Sequence, residues 1–358
     1  MNEHELAILR QFCLDAEPAS CTPYGCGHIN RTYLVATAGG RCYILQKINH
    51  HTFRDVAGLM ENIELVTEHL RRKSPDPRSV LTLIRTKDGK SYLEADDGYW
   101  RVFRFVEDSI CLQQPESDAD FYESAVGFGT FQQLLSDFPA EKLHETIPNF
   151  HNTPDRYRAF HETLTRDPMH RAAQVQPEIE FALARQAEMA ALQNALDAGE
   201  LPLRVTHNDT KINNILFDRQ GRVLCVIDLD TVLRSPCFND FGDAIRTYAN
   251  HGREDDENLD DVWLDMTMFR GFAEGYLSEA RAFLTPAETD ALAFSVRYIT
   301  YEQVLRFLMD YLDGDTYYKI KSPDHNLVRT RAQYALLRSA EERYDAMRAI
   351  VAELAARP

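Results

Sequence analysis

Apolar positions along the first hundred residues switch between two periods. Leu6, Ile8, Leu9 and Phe12 give residues 3–15 one apolar side and predict a short helix. Tyr33-Leu34-Val35 and Tyr43-Ile44-Leu45 are short β-prone runs on either side of Thr37-Ala38-Gly39-Gly40, whose glycine pair suits a hairpin turn. Leu59, Ile63, Val66 and Leu70 restore helical spacing over 55–72. Further β-prone segments lie at 80–84, 90–94 and 99–106, with Asp88-Gly89 and Asp96-Asp97-Gly98 as the turns between them. Residues 1–107 therefore predict an antiparallel sheet with one main helix.

Beyond this point helical spacing dominates, over 119–136, 176–197, 258–279, 286–312 and 327–355. Thr285-Pro286-Ala287-Glu288 reads as a helix start, with Thr as cap, Pro in the first turn and Glu reaching back. One β-rich island, 203–230, interrupts the helices. No internal repeat or low-complexity segment occurs. The expected class is α+β and two-lobed: a small β-rich lobe over 1–107 with a hinge at its end, and a large, mainly helical lobe over 108–358. That plan resembles the protein-kinase fold.

Composition narrows the function. The 358 residues are 44% hydrophobic and 27% charged, as in ordinary globular chains. A net charge of −17 opposes nucleic acid and anionic membranes as partners. It does not oppose a nucleotide, which backbone N–H groups and a metal ion can hold locally. No run of about 18 apolar residues suits a membrane helix, and the polar, acidic start lacks a signal-peptide layout. Seven cysteines without a CxxC pair fit reduced thiols in a cytoplasm. Cys21 and Cys26 read as small residues near a turn.

The island carries the chemistry. It reads Val205-Thr206-His207-Asn208-Asp209-Thr210-Lys211-Ile212-Asn213-Asn214-Ile215-Leu216, then Val226-Ile227-Asp228-Leu229-Asp230. Phosphoryl transfer needs one carboxylate to orient the acceptor hydroxyl and take its proton, and further oxygen donors to hold magnesium against the phosphates. His-x-Asp-x-x-x-x-Asn supplies Asp209 and Asn214 on one loop, and an apolar strand ending in Asp228 supplies the metal carboxylate. Alone, an Asp–Asn pair is a turn and Ile-Asp a strand end; the joint spacing between apolar strands favours function.

These residues resemble the signature of the aminoglycoside phosphotransferase and choline kinase superfamily. Within it the chain resembles the bacterial N-acetylhexosamine 1-kinases at Gly27-His28-Ile29-Asn30, Tyr43-Ile44-Leu45-Gln46, Glu64-Leu65-Val66-Thr67 and Arg204 through Leu216. The likeness continues at Ile227 through Thr231, Asp240-Phe241-Gly242-Asp243 and His325 through Arg331. It implies ATP and magnesium as cofactors and transfer of the γ-phosphoryl group to the anomeric hydroxyl of N-acetylglucosamine or N-acetylgalactosamine. It also implies substrate contacts at His28, Asn208, Asp209, Arg306 and Tyr317. A plain salt bridge for Arg306 and a packed loop aromatic for Tyr317 are the structural alternatives. Rival functions are a kinase for cationic acceptors, such as aminoglycosides or choline, and a catalytically inactive nucleotide-binding module. A monomer is expected.

On the nucleotide side, Gly25 and Gly27 let backbone approach phosphates. The phosphate lysine of kinases would follow Tyr43-Ile44-Leu45, where this chain has Gln46; Lys47 points to the opposite face of an extended strand. Glu61, Glu64 and Glu68 are candidates for the acid that pairs with such a lysine, a solvated helix face being the alternative. Phe105 and Glu107 bound the expected adenine-contacting connector. Asp240-Phe241-Gly242 spells the metal motif of protein kinases but lies beyond the Ile-Asp strand. Asp240 and Asp243 therefore read as acids at a helix start favoured by its dipole, with Asp243 facing the sugar as the alternative.

Overall fold

The computed structural model describes residues 3–25 and 29–357. The chain opens with α1 (Glu3–Leu9), β1 (Pro18–Pro23), β2 (Arg31–Thr37), β3 (Cys42–Ile48) and α2 (Val56–Lys73). Then come β4 (Leu83–Ile84), β5 (Leu93–Ala95), β6 (Gly98–Arg104) and β7 (Ile110–Cys111). Helices α3 (Asp118–Leu134), α4 (Thr153–Arg166), α5 (Gln176–Met189) and α6 (Ala191–Asp197) follow. The island holds β8 (Arg204–Thr206), β9 (Ile215–Phe217), β10 (Val223–Val226) and β11 (Leu233–Ser235). The chain continues with α7 (Phe238–Tyr248), α8 (Met266–Ala280), α9 (Pro286–Leu312), α10 (His325–Glu342) and α11 (Tyr344–Ala355). This is the expected α+β, kinase-like class.

Two compact units emerge. The first comprises Met1–Cys111, Asp137–Pro148 and Asn214–Arg234. Its main sheet runs β1-β2-β3-β6-β4, with β5 also paired to β6, and every pairing is antiparallel. Alternation along the strands separates two faces. Val35, Tyr43, Leu45, Trp100 and Val102 form a core with Ile8, Leu9 and Phe12. Lys47 lies on the Trp100 side, its ammonium 2.5 Å from Asp97 and 5.5 Å from the indole centroid. Gln46 and its cross-strand partner Arg101 face the other way. Helix α2 starts at the Asp55 cap and buries Leu59, Met60, Ile63, Val66 and Leu70. At about 1.5–3 kcal/mol per fully buried aliphatic side chain, this stripe holds the helix far better than propensity alone. A second sheet, β10-β9-β7, completes the unit.

The second unit comprises Leu112–Ser136, Asn149–Asn213 and Ser235–Pro358. Its axis is α9, 27 residues long, buried on most sides among α4, α5, α7, α10 and α11. The predicted start is present: Thr285 and Glu288 form a reciprocal capping box. Helix α7 lies so close to α9 that a β-carbon at Gly242 would stand 2.6 Å from the Ser295 carbonyl oxygen. Departures from the periodic reading are local. The 3–15 helix ends at Leu9, and Phe12 instead bridges to Thr86. The 176–197 helix breaks at Ala190 and the 327–355 helix at Arg343. Helix α8 starts at Met266 rather than at 258. Helix α4 escaped the pattern because its buried apolar positions are only Tyr157 and Phe160, although Asn152 caps it and Pro154 opens it. Among the described residues no helix is long and apolar enough to cross a membrane.

Candidate active site

In the second unit, loop 207–210 is moored to α7, through its backbone N–H groups and through the Thr210 hydroxyl, which donates to the Asp240 carbonyl at 2.7 Å. Asp240 and Asp243, both buried, lie in the first two turns of α7. The Asp240 carboxylate accepts the backbone N–H of His207 at 2.9 Å and of Asn208 at 2.7 Å. It also accepts the Gln132 side-chain amide at 2.6 Å, and Gln132 in turn accepts the Tyr276 hydroxyl. Asp243 accepts the Thr210 N–H at 3.0 Å and is paired with Arg246. The helix-start position matches the reading of these acids. Their grip on loop N–H groups was invisible in the sequence. Burial pushes the Asp240 carboxyl up. Burial opposes charge on Asp243 too, but Arg246 and Lys211 outweigh it and hold Asp243 below the usual range.

Fixed this way, Asn208 adopts a left-handed conformation at φ 61° and Asp209 stands partly exposed. Lys211 places its ammonium 2.7 Å from the Asp209 carboxylate. Burial opposes the lysine charge, yet Asp209 and Asp243 raise its pKa overall. Against the same loop, the buried His151 ring lies 3.4 Å from the Asn208 carbonyl oxygen and 2.7 Å from Glu302 on α9. One turn further along α9 is Arg306, whose guanidinium lies 5.9 Å and 5.6 Å from the ring centroids of Tyr317 and Tyr318. The unit thus brings Asn208, Asp209, Arg306 and Tyr317 into one region. Tyr317 is 72% exposed. Its loop is anchored by buried Asp310, which accepts the N–H groups of Thr316, Tyr317 and Tyr318 at 2.8–3.0 Å.

The first unit holds Asn214 and Asp228. Ile215 pairs with Val226, and the Ile227 N–H donates to the Asn214 carbonyl at 2.8 Å, so the hairpin brings both residues to one end. Asp228 has φ 56°, a conformation costly for a non-glycine residue and held by its surroundings. An amide and a carboxylate are hard oxygen donors suited to magnesium. Among the described residues no three His, Cys, Asp or Glu side chains are placed to hold a metal. An ion at this hairpin would complete its shell with phosphate and water oxygens, as magnesium at nucleotide sites does.

Also in the first unit, Gln46 accepts the Arg101 Nε–H at 2.9 Å and donates to Thr32 at 3.1 Å. Arg101 grips Asp230 with both terminal nitrogens, at 2.6 and 2.9 Å, and Asn30 donates to the same carboxylate at 2.6 Å. The acids of α2 are engaged elsewhere: Glu61 with His144, and Glu64 and Glu68 with Arg85. Gly25 has φ 76° with open space around it, while Gly27 and His28 lie outside the described residues. Tyr24 meets Phe105 edge-on at 6.1 Å. The Phe105 N–H is bonded to Cys42, and Glu107 is exposed just beyond.

Residues 20–283 match the phosphotransferase enzyme family. The chain belongs to that family. Solved structures agree on the fold of this phosphotransferase. It is similar to an aminoglycoside phosphotransferase from Alicyclobacillus acidocaldarius, at 14% identity over 98% of this chain and 95% of the other, with a TM-score of 0.63. A microcompartment-associated aminopropanol kinase matches at 17% identity over 96% and 98%, with a TM-score of 0.59. An amicoumacin kinase, solved with AMP-PNP, Ca2+ and Ami, matches at 15% identity over 96% and 94%, also with a TM-score of 0.59.

The sequence reading of this phosphotransferase missed Arg101, Asp230, His151, Glu302 and Asp310. The first two had a faint signal, an arginine set between Trp100 and Val102 of a strand and a second acid after Ile-Asp. Nothing in the local sequence marks His151.

Proposed function

We propose that the protein transfers the γ-phosphoryl group of ATP to the anomeric hydroxyl of an N-acetylhexosamine, N-acetylglucosamine or N-acetylgalactosamine, giving the sugar 1-phosphate. The segments from Gly27 to Arg331 that resemble N-acetylhexosamine 1-kinases support this. The observation that carries it is Arg306 beside Tyr317 and Tyr318, in the same unit as the Asp209 loop. A fixed guanidinium donates to hydroxyl and acetamide oxygens and repels a cation. Glu302, the acid one turn before it, is buried and engaged with His151 and Arg156. Aminoglycosides and choline need free carboxylates or an aromatic cage, so this wall favours a neutral sugar. An inactive module is the poorer reading, because Asp209, Asn214 and Asp228 are all retained.

In this reading Asp209 accepts the proton of the anomeric hydroxyl as its oxygen bonds to phosphorus. Lys211, 2.7 Å away, holds the Asp209 carboxylate in an ion pair. Arg306 and Tyr317 orient the sugar, and the three backbone bonds from Asp310 keep the Tyr317 loop in place. Asn214 and Asp228 would hold magnesium, which when bound neutralises phosphate charge. The sugar carbon–oxygen bond stays intact, so the anomer bound is the anomer phosphorylated; the resemblance implies the α form. A screen of acceptors with ATP, followed by phosphorus–proton coupling in the product spectrum, tests the reading. Phosphate on the anomeric carbon is expected. Phosphate on carbon 6, or turnover only with aminoglycosides or choline, would overturn it.

A further inference from the structure

Arg101 is 1% exposed, and all three guanidinium nitrogens are engaged: Nε with Gln46, the terminal pair with Asp230. Burying such a pair gains little stability over apolar residues of the same size, so its presence calls for another account. Its placement supplies one. Asp230 lies two residues after Asp228, whose left-handed backbone must be held from both sides. On one side the Ile227 N–H is tied to Asn214. On the other, the two-pronged grip on Asp230 ties the segment to β6, and through Gln46 to β3. Asn30 adds a third tie, because its amide donates to Asp230 while its carbonyl oxygen accepts the Asn49 N–H at 3.0 Å. The polar side of the sheet has no lysine at this place, since Lys47 is on the opposite face with Asp97. No acid of α2 reaches in, because Glu61, Glu64 and Glu68 have partners elsewhere.

We propose that Arg101, acting through Asp230, is the positioning residue that sets Asp228 for a magnesium–nucleotide complex. The ion pair that stiffens the nucleotide cradle thus joins the sheet to the metal-binding segment rather than to helix α2. A bidentate arginine suits this role, because its planar fork fixes the orientation of the carboxylate and not only its distance. The inference rests on reading Asp228 as a metal ligand and is independent of which acceptor is phosphorylated.

The test uses calorimetric titration of ADP into the full chain, once with magnesium chloride and once with EDTA, alongside thermal unfolding. The central variant replaces both charges, Arg101→Met with Asp230→Leu, so that no lone buried charge remains. Wild type should bind ADP at least about tenfold tighter with magnesium than with EDTA. The double variant should unfold near the wild-type temperature and hold ADP in EDTA within about threefold, yet lose most of the magnesium effect. Arg101→Lys, which keeps the charge but not the fork, should fall between them. Asp230→Asn keeps the shape and gives a second measure if the double variant does not fold; it too should lose the magnesium effect selectively. An undiminished magnesium effect in a folded variant would overturn the proposal, as would equal losses with magnesium and with EDTA. A wild-type protein on which magnesium does not tighten ADP would instead overturn the metal reading of Asp228, and this inference with it.

Discussion

Replacing Asp240 by alanine should weaken the second unit and slow the reaction without removing the metal site. The carboxylate satisfies three buried donors, the N–H groups of His207 and Asn208 and the Gln132 amide. Each buried donor left without an acceptor costs about 1–3 kcal/mol, which bounds the loss at roughly 3–9 kcal/mol. Two effects reduce it. Water entering the small void re-satisfies part of the set, and burial already disfavours the ionised form of Asp240. A net loss of about 2–4 kcal/mol follows, or roughly 4–16 °C in unfolding temperature for a unit of some 200 residues. Asp240→Asn, which keeps one oxygen, should lose about half as much. Because the same bonds fix the backbone carrying Asp209, kcat should fall by about 10–100-fold. Differential scanning fluorimetry and ADP titration with and without magnesium read both effects. A folded Ala variant that loses the magnesium effect would make Asp240 a metal ligand and refute the assignment. A variant with wild-type melting and turnover would refute the mooring itself.

Asp209→Asn should lower turnover by about three orders of magnitude while nucleotide affinity, read by ADP titration, stays within about twofold. Asp310→Ala frees the N–H groups of residues 316–318 and should raise the KM for the sugar about tenfold or more, with the KM for ATP nearly constant in steady-state assays. His151 supplies a pH dependence: burial works against its charge, but Glu302 outweighs burial and raises its pKa above the usual 6.5. Its stabilisation is therefore complete below about pH 6.5 and fades as pH climbs through the raised native value. His151→Gln should cost more stability at about pH 6 than at about pH 9 in denaturant titrations, and an equal cost at both would refute the charged pair.

What the sequence made legible was whatever depends on neighbours along the chain. The 286–312 helix was readable end to end, because its cap, first-turn proline and apolar spacing agree. The sheet was readable from alternation and glycine turns, and the segment around Asp209 from its spacing. Breaks at Ala190 and Arg343 were not, since both flanking segments keep helical spacing across them. Least legible were the partnerships between distant positions. Arg101 and Asp230 are 129 residues apart in sequence, and His151 and Glu302 are 151 apart. Such pairs are set by strand register and helix packing, and a buried charge looks like a surface charge until its partner is placed.

The way α7 holds loop 207–210 bears on how this protein could change over generations. Asp240 contacts His207 and Asn208 through main-chain N–H groups, which every residue but proline possesses. Exchanging the side chain at 208 therefore leaves the two bonds to Asp240 in place, provided the newcomer tolerates the left-handed backbone. Asp240 has no comparable latitude, because its own side chain makes the bonds. In the proposed reading, where Asn208 lies beside the acceptor, variation at position 208 is thereby uncoupled from the α7 mooring of the loop, and a lineage could change its acceptor without first losing that mooring.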